Sequence, residues 1–129
     1  VARSAIKTND EAKAKEAYAK LQKIAKGELA AEALYYDAYF KNKEGKFEPS
    51  NVVVQKIAQD YSGYKYYGAK SLVIMAKNFY GLKDSFQATY ILESVIENFK
   101  EYTDVIEEAQ KELDFIKGEE AKRNSSITN

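Results

Sequence analysis

The chain has 129 residues, of which 45% are hydrophobic and 13% aromatic, so it can form one domain with a sizeable core, and this composition disfavours disorder of the whole chain. Its 20 basic and 20 acidic residues cancel, so no overall field attracts a nucleic acid or an anionic membrane. One proline and six glycines leave long stretches rich in alanine, lysine, glutamate and leucine, which predicts an all-α fold of about six helices.

The first two predicted helices are separated by a glycine. Thr8 and Glu11 have the spacing of a capping box, which predicts a helix start at about residue 9. Apolar residues then recur at three- and four-residue steps, at Ala14, Ala17, Tyr18, Leu21, Ile24 and Ala25. Gly27 is expected to end this helix in a left-handed conformation. The sequence therefore predicts one helix over 9–26 and a second over 28–42.

The third and fourth helices are predicted on either side of a Ser-Gly break at residues 62–63. Pro49 fits the first turn of a helix, where its missing amide hydrogen has no partner to lose, so the third helix should run from Pro49 to Tyr61. The three valines at 52–54 would also suit a strand, but the apolar residues that follow keep helical spacing. The fourth helix is expected over 66–80.

The last two helices are predicted from capping signals. Asp84 and Gln87 mark the start of a fifth helix over 85–99, and the same spacing at Asp104 and Glu107 marks a sixth over 104–118. Residues 122–129 are polar and without periodicity, which predicts a flexible tail. Residues 1–121 should then form a single helical domain.

An internal repeat connects the two turns that contain Gly45 and Lys83. The segment 45–50 matches 83–88 at an offset of 38 residues, and the unit 69–96 reads as a complete helix-turn-helix. At this point the sequence resembles the tetratricopeptide repeat (TPR) family, on whose main consensus positions fall Leu72, Met75, Ala76, Phe79, Ala88, Leu92 and Val95. The resemblance implies a right-handed superhelical stack of antiparallel hairpins, with a half repeat at 9–26, repeats at 28–61 and 66–99, and a capping helix at 104–118.

A narrower resemblance rests on the sequence of residues 83–98. This stretch is similar to the C-terminal repeats of large TPR proteins from Bacteroidetes-type bacteria, which implies the end of a longer array, in the cell envelope. The start Val-Ala-Arg-Ser is expected for a processed product or an excised fragment. The absence of cysteine leaves the cytoplasm and the periplasm both open. No apolar run approaches the roughly 18 residues of a membrane span, so no membrane insertion is expected.

Catalysis is not expected from this composition. Histidine and cysteine, the commonest general bases and metal ligands, are absent, so we predict no enzyme, metal or cofactor. The carboxylate pairs at 93/97 and 108/112 lie four residues apart on one helix face and are interpreted as solvated, since a hydrolase needs carboxylates that face each other. A tyrosine-rich segment at 61–67 contains one lysine, which is too little charge to bind single-stranded nucleic acid.

The predicted function is binding of a protein or peptide segment. In the family, the first helix of each hairpin lines a concave groove, and the residues carried over to it are Glu32, Tyr35, Tyr39, Asn42, Lys70, Val73, Lys77 and Tyr80. Tyr36 and Ile74 replace the asparagine of the family's carboxylate clamp, so capture of a peptide C-terminus is not predicted. An aromatic groove with two lysines suits an extended or helical segment with apolar and acidic side chains.

The alternative is structural. The chain would then close a longer repeat array, or pack against upstream repeats or a second copy as a homo-oligomer, with no ligand in the groove. Its basic N-terminal and acidic C-terminal helices are interpreted either as solvated faces or as ends that stack head to tail.

Overall fold

The computed structural model describes the backbone of residues 11–128 and the side chains of residues 26–124. The described chain forms five α-helices, α1 (Glu11–Lys43), α2 (Phe47–Asp60), α3 (Lys65–Gly81), α4 (Ser85–Asn98) and α5 (Thr103–Thr128). No strand occurs within residues 11–128, so the all-α class is confirmed, including for the valines at 52–54. Thr8, with which the first helix was predicted to begin, lies outside the described residues.

The predicted break at Gly27 is wrong, because α1 is one continuous helix of 33 residues. Within residues 11–128 there are therefore five helices, where six were expected. Gly27 has a different role, since a Cβ atom at this position would overlap the hydroxyl end of the Tyr64 side chain. The glycine therefore permits a close approach of Tyr64 to the middle of α1, and its cost of about 1 kcal/mol in helix propensity is offset by packing.

The two hairpin turns share one backbone geometry. Gly45 and Lys83 have φ angles of 78° and 71°, in the left-handed region. The following amides, of Lys46 and Asp84, each donate a 2.8 Å hydrogen bond five residues back, to Lys41 and Phe79 respectively. Both turns are thus Schellman motifs, and the 38-residue offset found in the sequence recurs in the backbone.

The two left-handed residues should respond oppositely to substitution. Lys83→Gly removes the strain of a side chain at positive φ, and we expect it to raise the free energy of unfolding by about 0.5–1 kcal/mol. Gly45→Ala introduces that strain and should lower it by about 1 kcal/mol. Urea denaturation of both variants is the measurement, and changes of the same sign would contradict this account of the turns.

The other helix boundaries mostly agree with the predictions. Pro49 lies in the first turn of α2, and the side chain of Asp84 accepts a 3.1 Å hydrogen bond from the amide of Gln87, as expected for the cap of α4. The predicted end of the last helix at residue 118 is wrong, since α5 continues to Thr128. Strong helix formers at 119–123 and the ion pairs Glu119–Lys122 and Glu120–Arg123, at 3.7 and 3.6 Å, support the first part of this stretch without an apolar stripe.

The helices pack in two layers. Each helix contacts the next one in the chain, and α3 also contacts both α1 and α5, whereas α2 and α4, both fully described, do not touch each other. Two buried clusters result, one centred on Ile57 between α1, α2 and α3, the other on Leu92 between α3, α4 and α5. The seven consensus-like residues from Leu72 to Val95 all lie in or against these clusters. The layer of α1, α3 and α5 carries the predicted groove residues.

Candidate functional site

Tyrosines of α1 and one lysine of α3 form the centre of the predicted site. The Tyr35 ring stacks on Tyr39 with centroids 6.4 Å apart. The ammonium of Lys70 lies 4.7 Å from the centroid of Tyr35 and 5.5 Å from that of Tyr66, within range of cation–π attraction. Tyr35 is buried, and this burial raises the pKa of its hydroxyl above the ordinary range. Lys70 therefore lies against two aromatic rings, and the hydroxyl of Tyr35 stays protonated.

Two side-chain contacts fasten α5 to α3. The Tyr66 hydroxyl donates a 2.5 Å hydrogen bond to Asp104, and the Lys77 ammonium forms a 3.2 Å ion pair with Glu108. The first contact raises the pKa of Tyr66 to about 12 and lowers the pKa of Asp104, as expected for a bond that favours the ionised carboxylate and the protonated hydroxyl. On the other side of α3, Tyr67 donates a 2.7 Å hydrogen bond to Glu32 of α1.

The Tyr66–Asp104 bond makes the stability of the fold depend on pH. Because the folded pKa of Asp104 is lowered, this carboxylate stabilises the fold above its unfolded pKa, and the contribution is lost as the pH falls through its folded pKa. We expect Tyr66→Phe to destabilise the protein near neutral pH and to match wild type in acid. Urea denaturation from neutral pH down to below the folded pKa of Asp104 tests this expectation. Tyr90→Phe, at an exposed tyrosine of α4, is the control. A deficit that persists in acid would show that packing, and not this bond, is lost.

A buried polar network lies behind the site. Asn78 is fully buried, and its amide nitrogen donates 2.8 Å hydrogen bonds to Ser50 and to Asn51 of α2. Its oxygen accepts a 2.9 Å bond from Asn42 of α1, and the Ser50 hydroxyl donates to the carbonyl of Ala38 at 2.7 Å. Asn42, one of the predicted groove residues, therefore also connects α1 to α3.

The structure places the predicted groove residues at different depths. Tyr39, Asn42, Lys70, Lys77 and Tyr80 are partly exposed on the α1 and α3 side of the layer. Tyr35 and Val73 are buried, with 5% and 1% of their surface exposed, and offer almost no contact area to a partner.

The burial of Val73 corrects its placement on the groove. Its side chain belongs to the core that α3 forms with Val105 and Ala109 of α5. The uninterrupted apolar run at 72–76 was the signal for this, since a helix that is apolar on all sides is usually covered on all sides.

The accessible part of the layer is what we call the groove surface, formed by Tyr39, Tyr66, Lys70, Lys77 and Tyr80. It borders an open cleft of about 410 Å³ between α3 and α5, which is lined by Lys77, Asp104, Glu107, Glu108, Lys111 and Glu112. Four carboxylates against two ammonium groups give this cleft an acidic character. The sequence analysis did not predict this acidic side of the cleft, because it interpreted the α5 carboxylates at 108 and 112 as solvated.

The two ends of the helical layer differ in character. Along the outer side of α1, Leu29, Tyr36 and Phe40 are exposed, together with Ala33 between them. We call these four residues the open α1 face. The exposed residues of α5 from Thr103 to Asn124 are polar or small except Phe115, whose ring contacts that of Tyr80 with centroids 6.2 Å apart. The apolar end of the layer is thus α1, and the polar end is α5.

Comparisons with protein-family models, with curated proteins and with solved structures each returned no match for the chain. Within the described residues, no group of three or more carboxylates converges in a way that could hold a metal ion. None of the helices in residues 11–128 combines the length and apolarity needed to cross a membrane.

Proposed function

We propose that the chain is a non-enzymatic, TPR-like protein-interaction scaffold that binds a peptide segment of a partner along the groove surface. The packing of the two layers carries this proposal. Because α1, α3 and α5 contact in series while α2 and α4 stay apart, the stack should curve with its concave side along α1, α3 and α5. A concave surface of this kind is where solenoid proteins bind extended ligands.

The repeat geometry supports the family resemblance, with one departure. The two Schellman turns lie 38 residues apart. The hydrogen bonds that end α2 and α4 have the same offset, since the amide of Tyr61 donates to Ile57 at 2.9 Å and the amide of Phe99 donates to Val95 at 3.0 Å. The family repeat has about 34 residues, so this unit is longer by about one helical turn. The chain is best described as a TPR-like variant with longer hairpins.

The chemistry of the groove suggests which peptides it takes. Tyr39, Tyr66 and Tyr80 offer aromatic surface for apolar side chains. Lys77 is already paired with Glu108, which weakens the expectation of acidic side chains in the ligand. Glu107 and Glu112 on the opposite wall favour basic ones. We therefore propose a segment that combines apolar residues with lysine or arginine.

Peptide display against the intact protein tests the proposal. Selected peptides are measured by fluorescence anisotropy against Tyr39→Ala and Glu112→Gln, with Tyr90→Ala and Glu93→Gln on the exposed side of α4 as matched controls. Groove variants should weaken binding by about tenfold, the effect of one lost interface contact, and the controls should not. Peptides that bind all five proteins equally would place the site elsewhere.

A second candidate is a closing cap of a longer helical array, and the difference between the two ends of the layer favours it. Repeat arrays need terminal units with a polar outer side, and the outer side of α5 meets this requirement whereas the open α1 face does not. In this role the groove binds nothing.

Making the outer side of α5 apolar tests the cap. Gln110→Leu with Asp114→Leu should convert the chain into assemblies larger than a dimer, because a stackable surface then exists at both ends. The pair Gln55→Leu and Gln59→Leu on α2, exposed with the same four-residue spacing, should not. Light scattering distinguishes the two variants, and equal behaviour would argue against a capping role for α5.

A further inference from the structure

The open α1 face is an apolar row without a covering element in the described part of the chain. Leu29, Tyr36 and Phe40 retain 61%, 46% and 58% of their surface. Their spacing puts them on one side of α1, while the residues that pack into the bundle, Ala31, Tyr35 and Ala38, lie on another. Three large apolar side chains in one row form a contiguous patch, and such patches usually mark an interface.

The row continues in the sequence of the first half of α1. Steps of four and seven residues alternate along the whole helix, through Ala14, Tyr18, Ala25, Leu29, Tyr36 and Phe40. One step of each kind spans 11 residues, a repeat of about 3.67 residues per turn that stays nearly straight along an α-helix. The apolar register therefore extends well beyond the four residues of the open α1 face.

The length of α1 leaves this row room for a partner. At 33 residues α1 is about 50 Å long, twice the length of α2 or α3. The described contacts of both neighbours lie in its second half, since Ser50 of α2 bonds to the carbonyl of Ala38 and Tyr67 of α3 bonds to Glu32. With 14 and 17 residues, α2 and α3 match that second half in length, and a lone helical segment as long as the first half is only marginally stable in water.

We infer that two copies of the chain pair along α1 in antiparallel orientation, about a two-fold axis at residue 27, the midpoint of the helix. This register aligns both helices over their full length. It sets the larger residue of one copy against the smaller of the other in three of four pairs, which are Phe40 with Ala14, Leu29 with Ala25, Ala33 with Leu21, and Tyr36 with Tyr18.

The charge distribution of α1 favours the same orientation. Residues 11–26 contain five basic and two acidic residues, whereas residues 28–43 contain three acidic and two basic ones. Antiparallel pairing places the half with a net charge of +3 in each copy beside the half with a net charge of −1 in the other. Parallel pairing would place basic against basic, so it is disfavoured. A second copy therefore complements the open α1 face in register, length and charge.

Sedimentation velocity of the full chain, up to its solubility limit, is the first test. We expect a reversible dimer for wild type. Phe40→Glu should raise its dissociation constant about a hundredfold or more, because each dimer contains the changed site twice. Phe86→Glu replaces a still more exposed aromatic residue on α4, and the variant should dimerise like wild type. Circular dichroism verifies that both variants fold.

Several results would contradict dimerisation through the open α1 face. A wild type that stays monomeric at every concentration would leave the face to other occupants, such as preceding repeats of a longer chain. A dimer that survives Phe40→Glu, or that Phe86→Glu also dissociates, would use another surface. Lys77→Ala, which alters the groove surface and removes the ion pair with Glu108 but leaves the open α1 face unchanged, should dimerise normally, so this inference and the groove proposal fail independently.

Distances between spin labels test the orientation. The chain contains no cysteine, so Lys43→Cys and Lys26→Cys each provide a single attachment site. In the antiparallel dimer, the two labels at position 43 should be about 50 Å apart and those at position 26 about 10–20 Å apart, from the helical rise alone. Short distances at both positions would indicate parallel pairing, and long distances at both would indicate contact through another surface. Either result overturns the inference.

Discussion

Replacing Asn78 with alanine is expected to lower the free energy of unfolding by about 3 kcal/mol, since it removes the centre of a buried hydrogen-bond network and leaves a small cavity. The side chain of Asn78 is fully buried between three helices, and it bonds to Ser50, Asn51 and Asn42. Urea denaturation measures the loss. Asn98→Ala, at the exposed end of α4, is the control and should change stability by less than about 0.5 kcal/mol.

Asn78→Asp separates the hydrogen bonds from the volume of the side chain. This variant keeps the shape but replaces a donor to Ser50 and Asn51 with an acceptor. Burial raises the pKa of the introduced carboxyl, so the variant is most stable below the unfolded pKa and loses stability as the pH rises through the folded pKa. We expect it to be less stable than Asn78→Ala at neutral pH. Similar stability of the two variants at every pH would mean that Asn78 stabilises the fold mainly through the volume of its side chain.

Local signals in the sequence were enough to predict most helix boundaries. The cap at Asp84, the proline in the first turn of α2 and the glycine at position 45 each act through bonds within a few residues, so their effect does not depend on the rest of the fold. The 38-residue offset follows from the same signals. It recurs even at Lys83, where a residue disfavoured at positive φ takes the place of a glycine.

Predictions failed where a distant residue decides the outcome. Gly27 resembles a helix terminator, and only the position of Tyr64, 37 residues later, shows that it accommodates a close approach. Val73 resembles a groove residue in register, but α5 packs over it. The network around Asn78 was missed for the same reason, because its members come from three helices and no spacing in the sequence connects them.

The groove surface was partly predictable, since some of its features follow from local periodicity and others from contacts between distant residues. Lys70, Lys77 and Tyr80 share one face of α3 by helical periodicity, so their proximity could be predicted. The partners that change their chemistry, Glu108 and Asp104, belong to α5 and lie close only because α5 packs against α3. A groove expected to be basic is therefore bordered by an acidic wall.

The second large effect is expected from Leu92→Ala, which should lower the free energy of unfolding by about 3–4 kcal/mol because a fully buried side chain is lost from the cluster between α3, α4 and α5. Val54 occupies the equivalent position 38 residues earlier, in the separate cluster between α1, α2 and α3. Val54→Ala should cost somewhat less, about 2–3 kcal/mol, since fewer methyl groups are removed.

The location of the damage should differ between these two variants. A stack in which each helical unit contacts only its neighbours distributes stability locally, so Leu92→Ala should raise amide exchange in α4 and α5 first, and Val54→Ala in α2 and the second half of α1 first. Hydrogen exchange measured by mass spectrometry resolves the two, with Leu82→Ala at a partly exposed position as control. If both variants accelerate exchange evenly along the chain, the two clusters unfold as one cooperative unit.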